Sequence, residues 1–372
     1  MSPSAPRKVL MTADTVGGVW TFAIELCARL AKHGIEVTLL SMGRLPDEAQ
    51  LAEARALPNL RLVATGHRLE WMQDCENDVI DSGTTLLQLA RDMRPDVVHV
   101  NGYYHASLPF DAPVVLTAHS CVASWWQACR RDVIPLEWWR YVNWVSAGIR
   151  SAGLLTAPTQ AFLGQFQAIH GRAKDARAIW NGRDVSFFSA GPKRNMVLAA
   201  GRLWDEAKNI AMLCRVAGKL SVPVAVAGEE ISPDGSSTEL ENVIWLRRLS
   251  RREMAAQMAQ AAVFAAPSRY EPFGLSVLEA ALSGCALALG DIPTLRELWD
   301  GAATFVHPDD EDGWGSALGQ LTENSDLAFE SGRRARARAI QYSADAMAAE
   351  YLDAYRAVWM PHTEDQIIGV AA

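Results

Sequence analysis

The strongest constraint on this fold is an alternation along the chain. Short apolar runs of four to six residues recur, and helix-length stretches with apolar residues at three- and four-residue spacing separate most of them. Strands buried on both faces read as continuous apolar runs, and a crossover between parallel neighbours needs about a dozen residues. The pattern predicts α/β architecture with parallel sheets. In the first half, strands are expected at 8–12, 36–41, 60–64, 97–100, 114–117 and 154–157. A helix over 21–33 would bury Phe22, Leu26 and Leu30 and stop at Gly34. The second half repeats the logic, with strands at 196–200, 222–227, 243–246, 262–266 and 286–289. Turn-rich residues 180–184 and 189–192 separate the halves. An amphipathic helix over 345–359, with Met347, Tyr351, Ala354 and Val358 in one stripe, ends the pattern.

Size and charge narrow the function. A length of 372 residues suits two domains. Hydrophobic residues at 49% with 21% charged exclude a disordered chain. The formal net charge of −8 argues against a general nucleic-acid binder. Six cysteines (27, 75, 121, 129, 214 and 285) form no CxxC pair and read as reduced, mostly buried thiols. The first residues lack the apolar stretch of a signal peptide, and no run approaches the roughly 18 apolar residues of a membrane span. The expectation is a cytoplasmic protein.

Two tandem Rossmann-like halves place a ligand where their strand C-termini face each other, and the residues that carry chemistry fall at such positions. The segment from Ser268 to Glu279 follows an expected strand and opens a helix. Pro272 and Gly274 keep Glu271 on the loop, while Glu279 lies one to two turns into the helix. The amides of Phe273, Gly274 and Leu275 are then unpaired donors suited to a phosphate. The two carboxylates lie at most roughly 12 Å apart along a helix axis. That spacing suits two hydroxyl-rich rings flanking a diphosphate; a surface glutamate near a helix start is the plainer alternative. Arg202 closes a strand and Lys208 lies at the entry to the next helix, so both would point into the cleft. They could neutralise a leaving diphosphate without a metal, or simply pair with Asp205 and Glu206. Gly17 and Gly18 follow the first strand without GxGxxG spacing; they permit close backbone approach to a ligand or form a plain turn. His119 ends an expected strand, where it could bond a sugar hydroxyl or serve structure alone.

In this order, these elements resemble the retaining glycosyltransferases of family 4, whose fold is GT-B, with two Rossmann-like domains facing each other across a cleft. The resemblance covers nearly the whole chain, including Asn181-Gly182-x-Asp184 and the closing helix. It implies that Arg202 and Lys208 hold the donor diphosphate, Glu279 the ribose, and Glu271 the transferred sugar with the 273–275 amides. It further implies that Gly18, beside Gly17, approaches the donor, that His119 contacts the sugar, and that the main chain near Arg247–Leu249 frames the base. The partners implied are a nucleotide-sugar donor and an acceptor that is a carbohydrate, glycolipid or small molecule. No cofactor, metal or nucleic acid is implied. The domains would be 1–188 plus 346–372, on the acceptor side, and 189–345, which binds the nucleotide sugar. Three departures stand out: Ser120 after His119, Asp291-Ile292-Pro293-Thr294 where a double glycine is usual, and Arg183 where an aliphatic residue is common. A sugar phosphorylase, a nucleotide-sugar epimerase or a non-catalytic nucleotide-sugar-binding subunit would share the scaffold.

Five of the thirteen tryptophans fall within 125–144, together with Arg130, Arg131 and Arg140. They form an acceptor platform, a belt at a lipid interface on the inner face of a membrane, or a core stripe through Trp138, Val142, Val145 and Ile149. The basic run Arg333, Arg334, Arg336 and Arg338 reads as a solvated helix face.

Overall fold

A computed structural model describes residues 6–359 except 233, 234 and 236. The first sheet contains β1 (Lys8–Asp14), β2 (Glu36–Met42), β3 (Leu60–Ala64), β4 (Val97–Val100), β5 (Val114–Thr117), β6 (Leu154–Ala157) and β7 (Ala176–Ala178). Their spatial order is β3-β2-β1-β4-β5-β6-β7, and neighbours run parallel. The second sheet contains β8 (Arg194–Ala200), β9 (Val224–Ala227), β10 (Ile244–Trp245), β11 (Ala261–Ala266), β12 (Ala286–Gly290) and β13 (Thr304–Val306). Its order is β10-β9-β8-β11-β12-β13, again parallel throughout. The order reverses between β1 and β4 and between β8 and β11, which opens a crevice at the C-terminal edge of each sheet.

Alternation along the central strands builds a core on both faces of each sheet. On β1, Val9 and Met11 pack with Phe22, Leu26 and Tyr351, while Leu10 packs with Val98, Leu116 and Tyr103. On β8, Val197 and Ala199 face Leu213 and Trp314, and Leu198 faces Phe264, Leu278 and Trp299. The helix Ala344–Val358 returns to the first sheet, where Met347, Tyr351 and Ala354 are buried as the stripe requires. Its Tyr355 hydroxyl lies 2.7 Å from Nδ1 of His99 on β4. Residues 1–5 and 360–372 of the expected first domain lie outside the described residues.

Several elements differ from the expectation for local reasons. The first helix is Gly18–Ala31, three residues earlier than expected, because Gly17 in extended conformation leads the chain directly into it. Gly34 has φ +69°, and the Ile35 amide closes the helix end by donating to the Leu30 carbonyl at 3.2 Å. Strands β7 and β13 were not foreseen; three residues at a sheet edge are too few to show a period. All six cysteines are free, and five are buried. The late basic helix Ser325–Ala339 spends Arg333 on Glu330 and Arg338 on the carbonyls of Leu298 and Asp300. No helix among the described residues is long and apolar enough to cross a membrane.

Candidate active site

Two turns meet where the sheets face each other. After β1 the chain passes Asp14 and the glycine pair; after β8 it passes Gly201 and Arg202. A Cβ on Gly17 would lie 3.1 Å from Nη1 of Arg202, and one on Gly18 would lie 3.2 Å from Cδ1 of Leu275. The glycines are thus where the first half touches both the arginine turn and the helix Leu275–Leu282 of the second half. A side chain there would displace the guanidinium or the helix start.

The cations are paired. Arg202 donates to Asp205 at 2.7 Å and stacks on Trp204. Lys208 forms an ion pair with Glu271, the two side chains being 18% and 12% exposed. Arg202 therefore takes the local partner that the plainer alternative named, although Asp205 is buried rather than solvated, whereas Lys208 reaches across to the paired-glutamate segment. Lys208 was expected at a helix entry. Instead it ends a tight turn, Glu206–Lys208, and Asn209 at φ +53° separates it from the helix Ile210–Ala217. Asn209 Nδ2 donates to the carbonyls of Pro267 and Pro308 and so locks this turn to the two loops beside it.

Glu271 lies on the loop as foreseen, and Gly274 adopts φ +87° at the start of the helix. Among the described residues the amides of Phe273, Gly274 and Leu275 donate to no acceptor, which leaves them available to an anion. Neighbours that the sequence did not single out hold the loop. The Tyr270 hydroxyl accepts from the Cys121 amide at 3.0 Å and lies 2.9 Å from Oγ of Ser124. Thr159 donates to the Pro272 carbonyl, and Thr294 to that of Glu271. A tyrosine immediately before Glu271 was the available signal, but its partners lie about 150 residues away, as a sequence separation of 149 for Cys121 records.

His119 takes a single defined tautomer. Asn101 Nδ2 donates to the Thr12 carbonyl, so Asn101 Oδ1 accepts from Nε2 of His119 at 2.8 Å and Nδ1 carries the lone pair. Burial pushes the imidazole down to about 3, so it is neutral at physiological pH. Asn101 also borders a cavity of about 50 Å³ at the β1/β4 reversal, lined by Asp14, Arg68, Glu70, Trp71 and His105. Burial pushes Glu70 up to about 7, although its carboxylate accepts from the amides of Tyr103 and Tyr104. Asp14 is likewise raised by burial against the pull of the Val16 amide and Arg202.

The remaining expected residues sit further along the same edge. The Arg247 carbonyl accepts from the Gly228 amide at 2.9 Å, and its guanidinium covers Trp245. Leu249 follows, half-buried. Glu279 sits in the fifth position of its helix and faces Arg183. No hydrogen bond or ion pair among the described residues joins His119, Arg247 or Leu249 to the Arg202, Lys208 and Glu271 group.

The tryptophan segment divides. Trp125 donates to Asp205 across the halves at 2.9 Å, and Val145 and Ile149 are buried with Trp138 packed against them. Val133, Leu136 and Trp139 are exposed, at 81%, 88% and 57%. Many other contacts cross the cleft: Arg44 to Glu229, Arg248 to Asp47, Arg251 to Glu25, Arg130 to Glu206 and Arg131 to Asp309. Glu297 of the second half accepts from the amides of Gln160 and Ala161 and caps a helix of the first. The halves are therefore closed on each other around the site.

Comparison with known proteins agrees with this architecture. The Glycosyltransferase Family 4 profile matches residues 16–187, and that of the Glycosyl transferases group 1 matches residues 194–324. D-inositol 3-phosphate glycosyltransferase of Mycobacterium avium is 28% identical over 94% of this chain and 91% of its own. Glycogen synthase of Mycobacterium tuberculosis is 26% identical over 95% of each chain. Sucrose-phosphate synthase from Thermosynechococcus elongatus superposes with a TM-score of 0.78 at 16% identity, covering 94% of this chain and 98% of that one. Anabaena HepE in complex with UDP-glucose superposes at 0.75 with 17% identity, covering 94% and 99%. With two parallel Rossmann-like sheets closed around the Arg202, Lys208 and Glu271 group, the chain belongs to the group 1 glycosyltransferases of family 4 and has the GT-B fold.

Proposed function

We propose that the protein moves a sugar from a nucleotide-diphosphate-sugar donor to an acceptor hydroxyl with retention of configuration and without a metal. The observation that carries this reading is the meeting of the Gly17-Gly18 turn with Arg202 and with the start of the helix Leu275–Leu282, beside the Lys208–Glu271 pair. The donor lies along the second half. Its diphosphate meets Arg202, Lys208 and the amides of residues 273–275, its sugar meets Glu271 and His119, its ribose meets Glu279, and its base lies near Arg247–Leu249. The acceptor enters from the first half, beside the cavity that Asp14, Glu70 and Asn101 border.

The bond from the anomeric carbon to the diphosphate breaks as the acceptor oxygen bonds that carbon from the same face. The acceptor proton passes to the departing diphosphate oxygen. Charge then builds on the diphosphate, where two fixed cations stabilise it and serve the purpose a metal would otherwise serve. Neutral His119 offers a lone pair at Nδ1 to a sugar hydroxyl. UDP-glucose, which the Anabaena protein binds, is the first donor to try, with GDP- and ADP-sugars alongside. Transfer that survives a chelator and gives a product of the donor's anomeric configuration supports the reading; inverted product or full loss with the chelator overturns it.

The exposed tip of Val133, Leu136 and Trp139 supports a second element of this reading, contact with an apolar acceptor or a membrane surface at the cytoplasmic side. Flotation with anionic vesicles tests it. Leu136→Ser together with Trp139→Ser is expected to abolish binding, and unchanged flotation rejects the contact.

A further inference from the structure

The segment that carries the chain from the first sheet to the second has an arginine at its centre. The Arg183 amide donates to the Tyr342 carbonyl at 3.2 Å, and the Ala344 amide donates to the Arg183 carbonyl at 2.9 Å. The outgoing and returning crossings therefore run side by side. They are so close that a Cβ on Gly182 would lie 2.2 Å from the Ser343 carbonyl oxygen. The Arg183 side chain is 1% exposed and covers the Phe188 ring.

A buried guanidinium is costly unless carboxylates satisfy it. Arg183 has one on each side of the cleft. Its Nη1 donates at 2.8 Å to Oε1 of Glu25, on the first half's helix Gly18–Ala31. Its Nε lies 2.8 Å from Oε1 of Glu279, an ion-pair distance whose N–H is not aligned for a hydrogen bond. Glu25 also accepts from Arg251 at 2.7 Å, so two arginines and two glutamates balance in charge. Glu25 would keep a cation if Arg183 were absent. Glu279 would not, because among the described residues Arg183 is its only ion-pair partner.

We infer that Arg183 is a positioning residue for the nucleotide ribose: it grips one oxygen of Glu279 and leaves the other to accept from a ribose hydroxyl. This rests on the reading that Glu279 binds the ribose. Arginine suits the task because its rigid guanidinium, held by Glu25 and by the Phe188 ring, keeps its charge beside one oxygen of Glu279, whereas a lysine would supply charge on a flexible stem. An aliphatic side chain here would leave Glu279 without an ion-pair partner among the described residues.

The test compares UDP, GDP and ADP with their dideoxyribose counterparts, using calorimetric titration of the full chain. The wild type is expected to prefer the ribonucleotide about tenfold, in line with a charge-assisted hydrogen bond. Arg183→Met is expected to reduce that ratio to near one, as Glu279→Gln does. Arg183→Lys is expected to give an intermediate ratio and keeps the measurement available should the methionine variant fail to fold. A merely structural role would lower the melting temperature and leave the ratio intact. A ratio unchanged in both Arg183 variants but lost in Glu279→Gln overturns the positioning role alone. A ratio unchanged in Glu279→Gln overturns the ribose assignment beneath it.

Discussion

Replacing Lys208 by alanine separates the two things that its ammonium does. In the structure it neutralises Glu271, and both side chains are mostly buried, at 18% and 12% exposure. Removing one partner of such a pair strands the other, at a cost of roughly 3 kcal/mol, the low end for a fully buried pair. In turnover the same ammonium would face the departing diphosphate. Removing one preorganised charge at a transition state typically costs about 10²–10³ in rate, or about 3–4 kcal/mol. The double variant Lys208→Ala with Glu271→Gln distinguishes these effects. It removes the stranded charge, so most of the lost stability is expected to return while turnover stays low. Thermal melts follow the first quantity. The second is read from release of nucleoside diphosphate from a panel of UDP-, GDP- and ADP-sugars, because slow donor hydrolysis needs no acceptor. Wild-type turnover in a folded Lys208→Ala variant would refute the catalytic role. A double variant no more stable than the single one would refute the account of the ion pair.

Burial raises Glu70 from its ordinary 4.5 to about 7, so the folded state holds that proton more tightly than the unfolded chain. Its contribution to stability therefore falls as pH rises from about 4.5 to about 7, and Glu70→Gln is expected to lack that decline; parallel curves of melting temperature against pH would contradict it. Burial pushes His99 and His119 down to about 3 and His105 to about 4, so stability is lost as pH falls below about 6.5. His105→Gln is expected to soften that acid loss, checked in the same melts, and an unaltered acid limb rejects it. Gly17→Val drives a side chain into Arg202, whose Nη1 would be 3.1 Å from even a single added carbon. Donor hydrolysis is expected to drop at least tenfold with little change in melting temperature; normal hydrolysis argues against the meeting of the turns. Gly148→Ala places a carbon 2.3 Å from the Tyr103 carbonyl oxygen and is expected to cost about 1–3 kcal/mol by denaturant titration.

The legible part of this fold was whatever repeats locally. Runs such as 97–100 and 114–117 coincide with β4 and β5 because four consecutive buried residues in a parallel sheet leave a continuous apolar signature. The three-residue edge strands β7 and β13 leave none, and within the expected 243–246 only the two residues of β10 pair. The candidate site divides along the same line. Glu271, Gly274 and Glu279 could be placed from proline, glycine and helix spacing within one segment. The pairing of Lys208 with Glu271, 63 residues apart, could not. Asp14, Asn101 and Tyr270 were passed over because each looks ordinary in its own segment and gains a role only through a partner from another strand or the other half. Arg183 stood out only as a departure from the family; its two glutamates lie 158 residues before it and on a helix of the other half.

The pairing of the two cations also bears on how a donor would enter the site. Arg202 and Lys208 are already neutralised, by Asp205 and Glu271. An incoming diphosphate must compete with carboxylates at both, so its charge alone gives it little advantage. On the proposed reading the sugar settles that competition at Lys208. As its hydroxyls donate to Glu271 they satisfy the carboxylate that Lys208 gives up, and the ammonium turns to the diphosphate without leaving a buried charge unpaired. Free nucleoside diphosphate offers no such exchange. It should therefore bind more weakly than the nucleotide sugar in the wild type, and Glu271→Gln should narrow the difference by removing the competitor. Calorimetric titration with both ligands decides this, and equal affinities in the wild type would mean that the exchange does not occur.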